Sequence, residues 1–252
     1  MNNNGISLAG SFQEYFSVDL ALTPEQKKKV YQVRYRVYCE ELGYEPADLF
    51  PDQLEYDEYD RQSCHLLITH KQSGLSAGCV RLVKSVQSRH SFLPFEKNFP
   101  AALDPEFFSR FDMDRNTICE ISRLAVDSRF RRRPGETFRC LGDSHAMDIT
   151  CQEQRAFSLI AESVFLAAIA LTELTGRTNI FALMEPYLCR LLGMSGIHSM
   201  RVGKEVQHHG KRAPHFITAE SAVQNMRPEL LGLYQSIYDK LASSYSEVEV
   251  AA

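Results

Sequence analysis

Glu120 is the residue of this sequence whose type and surroundings most directly suggest chemistry. It stands inside the apolar segment ICEISRLAV, which spans residues 118–126. A carboxylate buried in such a strand has its pKa raised by desolvation, which brings it into the range of a general base near neutral pH. A buried carboxylate can equally be one half of a structural ion pair, here with Arg81 or Arg123. The sequence leaves both interpretations open.

Charged residues are unevenly distributed along the chain. Residues 40–60 contain nine acidic residues and no lysine or arginine, whereas residues 129–139 contain five arginines and one glutamate. This asymmetry predicts either an internal ion-pair network or a site for an anionic partner. A solvated basic loop is the alternative for the second segment. Its candidate binding residues are Arg129, Arg131, Arg132 and Arg133.

Aromatic residues are concentrated between residues 92 and 111, in a stretch that three prolines interrupt. Phenylalanines there could line a pocket for an apolar ligand chain, since ligand pockets are largely apolar and aromatic. Ordinary core packing is the alternative for each of them. The residues concerned are Phe92, Phe95, Phe99, Phe107, Phe108 and Phe111.

The overall composition is that of a globular enzyme. Of 252 residues, 44% are hydrophobic and 24% are charged, and the net charge of −4 argues against a nucleic-acid-binding protein. The seven cysteines form no CxxC pair, which favours reduced thiols in a cytosol and offers no metal-ligand spacing. The first residues lack the charged and apolar regions of a secretory signal. Residues 156–176 are apolar but contain Glu162 and Glu173, so we expect a buried helix and no transmembrane segment.

The hydrophobic periodicity predicts a mixture of strands and helices that would position these residues. Thr23-Pro24-Glu25-Gln26 has the form of a helix start, with Thr as N-cap and Gln at the capping-box position. Residues 71–74, KQSG, predict a turn between two strands. The expected strands span 12–20, 64–70, 77–86, 118–126, 179–184, 197–202 and 213–218, and the expected helices follow residue 23 and span 156–175, 186–192 and 228–245. This order predicts an α/β (α+β) fold with a mixed central sheet flanked by helices.

Several short motifs occur in the order found in one enzyme family. They are RYRVY at 34–38, ELGY at 41–44, DEYD at 57–60, HLL at 65–67, RL at 81–82 and EISRLAV at 120–126. In these motifs the chain resembles the acyl-homoserine-lactone autoinducer synthases, over roughly residues 12–220. That family usually has Trp where Tyr44 stands, and this chain has no Trp. With MEPYLCRLL at 184–192 and GKRAP at 210–214, the chain is more similar to a related branch, the N-acyl amino acid synthase-like acyltransferases associated with exosortase (PEP-CTERM) systems.

The resemblance implies a GNAT-like acyltransferase domain over residues 1–226 and a C-terminal helical extension over residues 227–252. It implies transfer of a long-chain fatty acyl group from acyl-carrier protein, or from acyl-CoA, to the amine of an amino acid in the cytoplasm. The acyl-phosphopantetheine thioester is then a co-substrate, with no permanently bound cofactor and no metal. The implied partners are acyl-carrier protein and a small-molecule amine, with no nucleic acid, and peripheral membrane contact stays open.

The family motifs also imply roles for individual residues. Glu120, Arg81 and Arg123 are the expected catalytic residues. The expected substrate-binding residues are Arg34, Tyr38, Tyr44, Asp57, Asp60, Phe92, Phe95 and Ser122, and the expected donor- or carrier-binding residues are Arg129, Arg131, Arg132 and Arg133. Five of these should form one charge network: Arg34, Asp57, Asp60, Arg81 and Arg123. In it, Arg34 or Arg81 can pair with the carboxylate of an amino acid acceptor.

Two other functions stay open at this point. An acyl-homoserine-lactone synthase would use S-adenosylmethionine as its acceptor and would refuse free amino acids. A non-catalytic module that binds acyl chains or acyl-carrier protein is the alternative of another class, because a fold does not determine a function. The presence of Glu120 favours an enzyme.

Overall fold

An eight-stranded sheet organises the chain, and helices cover both of its faces. The computed structural model describes residues 7–86, 92–110, 113–131, 156–157 and 159–251. The strands are β1 (Phe16–Leu20), β2 (Ser63–His70), β3 (Ser76–Lys84), β4 (Ile118–Val126), β5 (Asn179–Met184), β6 (Met200–Arg201), β7 (Val206–Gln207) and β8 (Lys211–Thr218). Their order is β1-β2-β3-β4-β5-β8-β6, and β7 pairs with β8. The pairing of β4 with β5 is parallel, whereas the other recorded pairings are antiparallel.

The α-helices of the described ranges include the four that the sequence predicts and several others. They are α1 (Leu8–Tyr15), α2 (Pro24–Arg34), α3 (Pro94–Asn98), α4 (Pro105–Arg110), α5 (Ile160–Leu174), α6 (Pro186–Met194), α7 (Ala219–Gln224) and α8 (Pro228–Ala251). The structure therefore confirms the expected mixed sheet flanked by helices. None of the helices in the described ranges is both long and apolar enough to cross a membrane.

Helix α2 begins at the predicted capping box. The side chain of Thr23 accepts a hydrogen bond from the backbone N–H of Gln26, and the Gln26 side chain accepts one from the backbone N–H of Thr23. These two bonds satisfy backbone donors that have no partner within the helix. After Arg34 the helix widens into a π-helix, Tyr35–Glu41. The chain then turns at Gly43, whose φ of 60° is one that a residue without Cβ adopts freely.

One face of the sheet, here called the back face, carries the larger core. Helix α5 is buried on almost all sides against Leu66, Val80, Leu82 and Ile121. Helix α8 adds its predicted apolar stripe to the same core, through Leu230, Leu233, Ile237 and Leu241. A helix that is apolar all round is typical of such a buried position. The predicted division at residue 226 stays a prediction, although α8 shares this core with the sheet.

The opposite, front face carries the residues that the sequence singles out. Helix α2 packs there through Val30 and Val33 against Leu67 and Cys79. Residues 92–107 cover the neighbouring part of the face in a second cluster, which includes Leu93, Phe95, Phe107, Phe181 and Phe216. Acidic residues of the loop between α2 and β2 lie between these two covers.

Two predicted strands differ from the observed structure, and helix α7 was not predicted. Residues 12–15, predicted as part of a first strand, belong to α1, which Ser7 caps by accepting from the backbone N–H of Gly10. Within the predicted strand 197–202, only Met200–Arg201 pairs with β8. Helix α7, capped by Thr218, was not expected. Alternation over a few residues is compatible with either helix or strand, so the local caps decided the first difference.

Candidate active site

Strand β4 pairs with β3 along its whole length but with β5 only over its first three residues. Its parallel pairing with β5 ends at Glu120, opposite Phe181, although both strands continue. On the other side, β4 carries a bulge against β3, since Arg123 and Leu124 together lie opposite Val80. Arg123 there has a φ of 54°, in the left-handed region that few non-glycine residues occupy. The two strands therefore separate beyond Glu120 and leave a cleft.

Glu120 lies at the start of this cleft and is almost completely buried, with 4% of its surface exposed. Its Oε2 accepts a hydrogen bond of 2.9 Å from the backbone N–H of Phe95. Burial raises the pKa of Glu120 to about 7, against the smaller opposing effects of the Phe95 N–H, Arg81 and Arg123. Within the described part of the chain, Glu120 forms no ion pair. The structural ion pair with Arg81 or Arg123, which the sequence left open, is therefore not observed there. A carboxylate in this state can accept a proton near neutral pH.

The five residues expected to form a charge network are in contact. Arg34 Nη1 and Arg81 Nη1 donate to Asp60 Oδ1 over 2.6 and 3.0 Å, respectively. Arg81 Nη1 also donates to Asp57 Oδ1 over 2.5 Å, and Arg123 Nη2 lies 3.3 Å from Asp57 Oδ2. The network ties the loop between α2 and β2 to the centres of β3 and β4.

Glu55 is the member of the network that the sequence did not identify. Only 1% of its surface is exposed. It accepts from Arg34 Nε and, over 3.1 Å, from Arg123 Nε, so it joins the two halves of the network. Its position among nine acidic residues of the loop gives no sign of burial, since spacing alone does not distinguish a solvated carboxylate from a paired one.

The network favours the ionised form of Asp60. Burial alone would raise the pKa of Asp60, but the charges of Arg34 and Arg81 and the hydrogen bonds that Asp60 accepts hold it well below its usual range. Burial would likewise lower the pKa of Arg34, but Glu55 and Asp60 raise it above its ordinary value. The charged forms of these side chains are therefore favoured in the folded chain.

The other expected substrate-binding residues lie around Arg123 and the cleft. Tyr38 donates its hydroxyl to the carbonyl of Leu124, 2.7 Å away, and its ring lies 5.8 Å from the Arg123 guanidinium carbon. Tyr44 stacks on His209, with ring centroids 4.6 Å apart. Ser122 accepts from Arg81 Nε over 3.2 Å.

The two expected binding residues of the aromatic segment, Phe92 and Phe95, do not share one environment. Phe95 is buried and stacks on Phe181, 5.1 Å away, within the front-face core. Phe92 is 54% exposed. An apolar cavity instead lies on the back face between α5, β5 and α6, where Ile121, Phe165 and Ile180 contribute to its lining. The role of Phe92 and Phe95 in substrate binding stays a prediction.

The described arginines of the basic segment already have partners. Arg129 Nε donates to Asp127 over 2.8 Å, and Asp127 also pairs with Arg36. Arg131 pairs with Glu41 on the π-helix. Arg132 and Arg133 lie outside the described residues, as do residues 136–155. Their role in binding the donor stays a prediction.

No group of three or more His, Cys, Asp and Glu residues in the described part of the chain is arranged to hold a metal ion.

Residues 33–140 match the acetyltransferase (GNAT) domain family. This segment carries the charge network, β2, β3, β4 and Glu120. The fold is GNAT-like, and the domain match supports an N-acyltransferase, the enzyme class that the sequence predicts.

Solved structures with the same fold cover most of the chain. TofI, crystallised in a ternary complex with an inhibitor and MTA, is 18% identical, with a TM-score of 0.58 over 92% of this chain and 99% of its own. BjaI, a CoA-dependent acyl-homoserine lactone synthase bound to SAM and isopentyl-CoA, is 15% identical, with a TM-score of 0.55 over 89% of each chain. FeeM, an N-acyl amino acid synthase from uncultured soil microbes, is 10% identical, with a TM-score of 0.54 over 84% of this chain and 94% of its own. Among curated protein sequences, none matches the chain.

Proposed function

We propose that the chain transfers a long-chain fatty acyl group from acyl-carrier protein, or from acyl-CoA, to the amine of an amino acid, and releases an N-acyl amino acid. The observation that carries this proposal is the buried Glu120 carboxylate, with a pKa raised to about 7, at the point where β4 and β5 separate. The similarity in fold to FeeM, an N-acyl amino acid synthase, agrees with this reaction. The association with exosortase systems stays a prediction from the motifs.

Glu120 would act as the general base. An acceptor amine is protonated near neutral pH and must lose a proton before it can attack a carbonyl. A carboxylate with a pKa near 7 can take that proton, directly or through a water molecule. The free amine then attacks the thioester carbon, the C–S bond of the tetrahedral intermediate breaks, and the phosphopantetheine thiolate takes up the proton that the attacking nitrogen loses. Because a thioester is already activated, no covalent enzyme intermediate is needed.

The cleft would supply the donors for the tetrahedral oxyanion. Beyond Glu120, β4 has no recorded ladder with β5 within the described residues, so backbone groups on that side of the strand are available to a substrate. Backbone N–H groups aimed at a developing oxyanion stabilise the transition state more than the ground state. The bulge at Arg123 fixes their direction, since the network anchors this residue to Glu55 and Asp57.

The charge network would hold the acceptor side of the cleft in shape. Salt bridges fix the loop between α2 and β2 over the sheet. They join Asp57 and Asp60 of the loop to Arg34 and Arg81. A fixed loop keeps the acceptor close to the thioester and so lowers the entropic cost of bringing the two substrates together. On the donor side, Arg129 and Arg131 would meet the acidic surface of acyl-carrier protein and steer its approach. In this proposal the reaction takes place in the cytoplasm.

Synthesis of acyl-homoserine lactones from S-adenosylmethionine is the second candidate. It is favoured by the similarity to BjaI, which is described as an acyl-homoserine lactone synthase and was crystallised with SAM. The motifs at residues 34–60 agree with it as well. The two candidates share the donor and the chemistry of acyl transfer, and they differ in the acceptor.

Mass spectrometry of lipid extracts from cells that express the chain tests the proposal. Cells that express Glu120→Gln provide the matched control, because this variant keeps the shape of the side chain but cannot accept the proton. N-acyl amino acids that are absent from the control would support the proposal and identify both substrates. Acyl-homoserine lactones would favour the second candidate. The absence of any new acylated amine, with folded protein and a supplied carrier protein, would favour a non-catalytic binding module.

A further inference from the structure

The two arginines expected to hold the carboxylate of an amino acid acceptor are already occupied. Arg34 and Arg81 are buried, with 0% and 1% of their surfaces exposed. Both donate to Asp60, and Arg81 also donates to Asp57. A substrate carboxylate would have to displace these protein carboxylates from the core, which leaves buried charges without partners. A more accessible cation is therefore the better candidate for recognising the acceptor.

Arg212 combines an unpartnered donor with access to solvent, whereas Arg34, whose Nη2 also has no hydrogen-bond partner, is completely buried. Its side chain is 20% exposed, and its Nη2 donates to Glu185 over 2.6 Å. Its Nε is buried and has no hydrogen-bond partner. A buried donor without a partner carries the full cost of its desolvation, so a ligand that supplies an acceptor oxygen there removes that cost.

Arg212 lies beside the cleft, on the side opposite Arg123. Ala213 of β8 pairs with Met184 of β5, which places Arg212 next to the carboxyl end of β5, where β4 is no longer paired with it. Tyr44 contacts the Arg212 side of the cleft, and Glu45 contacts the Arg123 side. The Tyr44 ring lies 5.7 Å from the Arg212 guanidinium carbon, and Glu45 lies 3.7 Å from Arg123 Nη2.

The surroundings hold the Arg212 guanidinium group in one orientation. Tyr44 contacts it with its ring and stacks on His209, which comes from the hairpin between β7 and β8. Glu185 takes one of its terminal nitrogens. An arginine restrained in this way loses little side-chain entropy when it binds an anion, and its Nε–H is left to donate to a carboxylate oxygen.

We propose that Arg212 binds the α-carboxylate of the acceptor through Nε, with the Tyr44 ring supporting the guanidinium group. The inference rests on the proposed function, because it assigns a residue to that function's acceptor. It limits the acceptor to amines that carry an α-carboxylate, a group that free amino acids and S-adenosylmethionine both have. Amines without this group would leave Nε unpaired and would be poor substrates.

The test compares matched acceptors with the purified chain and palmitoyl-carrier protein. An equimolar mixture of L-amino acids is supplied in one reaction, S-adenosylmethionine in a second, and the corresponding L-amino acid amides in a third. The wild type should acylate acceptors with a carboxylate at least about tenfold faster than the amides, the factor expected from a charge-assisted hydrogen bond. Equal rates with the acid and the amide would overturn the inference without any variant.

Two variants and one control assign the preference to Arg212. Arg212→Gln should lose roughly ten- to a hundredfold in kcat/KM with the acids, mainly through KM, while its rate with the amides stays unchanged. Arg212→Lys should keep part of the preference for acids over amides, because lysine keeps the positive charge but lacks the planar guanidinium group and its Nε–H. Arg201→Gln is the control, since Arg201 lies on β6 and donates to the carbonyl of Gly203.

The outcomes separate this inference from the proposed function. An equal loss with acids and amides in a folded Arg212→Gln variant would overturn the role of Arg212 as the carboxylate-binding residue. An Arg212→Lys variant with an undiminished acid preference would overturn the role of Nε. If no amine is acylated in any reaction, the proposed function itself fails, and the inference fails with it.

Discussion

Asp60 and Glu120 lie on the same face of the same sheet and are buried to a similar degree, with 3% and 4% of their surfaces exposed. Nevertheless, the pKa of Asp60 is lowered and that of Glu120 is raised to about 7. The difference comes from their partners. Asp60 receives two guanidinium groups, whereas Glu120 receives one backbone N–H. Burial alone therefore does not determine the charge of a carboxylate in this protein; the direct contact with arginine does.

The comparison also separates structural from chemical roles. A carboxylate with a lowered pKa favours the folded state as an ion, and its removal leaves arginines without a partner. A carboxylate with a raised pKa is less stable as an ion in the folded chain than in the unfolded chain. We infer that Asp60 maintains the fold around the cleft and that Glu120 carries out proton transfer.

The largest expected effect is the loss of turnover in Glu120→Gln. General-base catalysis contributes about 10²- to 10⁴-fold, so the rate with saturating acceptor should fall by that factor. In the wild type, kcat/KM should rise with pH up to about 7 and then level off as Glu120 loses its proton. The variant should lack this rise. Steady-state kinetics between pH 5.5 and 8.5 measure both, and a variant with a near-normal rate would remove Glu120 from the mechanism.

Asp60→Asn should have the next largest effect, on stability. It removes the negative charge between Arg34 and Arg81, and the loss of one partner from a buried ion pair costs about 3–5 kcal/mol. Because the folded-state pKa of Asp60 lies below its ordinary value of 3.8, this contribution is present above pH 3.8 and is lost as the pH falls further. Urea unfolding at pH 7 measures the difference. A change below 1 kcal/mol would show that the network contributes little.

Glu120→Gln should change stability in the opposite direction. The folded-state pKa of about 7 lies above the ordinary value of 4.5, so the folded chain binds the proton more tightly and loses stability as the pH rises from 4.5 to 7. Above pH 7 the ionised carboxylate costs up to about 3 kcal/mol, which the neutral amide removes. Unfolding at pH 8 and pH 4 measures this gain. A variant that is less stable than the wild type at pH 8 would contradict the raised pKa.

Arg110→Ala should have the smallest effect. Arg110 and Glu106 form an exposed pair one helical turn apart, with side chains 74% and 80% exposed. Such pairs contribute about 0.3–0.5 kcal/mol, and added salt weakens them further. The same unfolding measurement at low and high salt gives the value for an ion pair outside the network, against which Asp60→Asn can be judged.

Much of the site could be predicted from residue types and motif order. The strand around Glu120, the hairpin before it and the five charged residues of the network follow from apolar alternation and from the resemblance. The positive φ of Arg123 could not be predicted, because no glycine or asparagine marks that position. Glu55 was hidden among other acids. The partner of Glu120 is a backbone N–H, which carries no sequence signal of its own.

The prediction of the aromatic segment shows a second limit. Clustered phenylalanines indicate that apolar surface will be buried, but not whether a substrate or the protein will bury it. Phe95 packs on Phe181 and at the same time brings its backbone N–H to Glu120. The side chain of Phe95 thus packs in the core, while its main chain donates a hydrogen bond within the candidate site.

The π-helix at Tyr35–Glu41 makes this chain unequally tolerant of changes in length. A π turn holds one residue more than an α turn, so a single deletion there allows the backbone to close into α-helical hydrogen bonds. Residues beyond the deletion would keep their register, but side chains within the shortened turn would change their positions around the axis, which would take Tyr38 away from the carbonyl of Leu124. An insertion at this point cannot be absorbed by closing the π turn into an α turn. Relatives one residue shorter at this point would keep the fold and present another side chain to the cleft, so acceptor choice could evolve here through length alone.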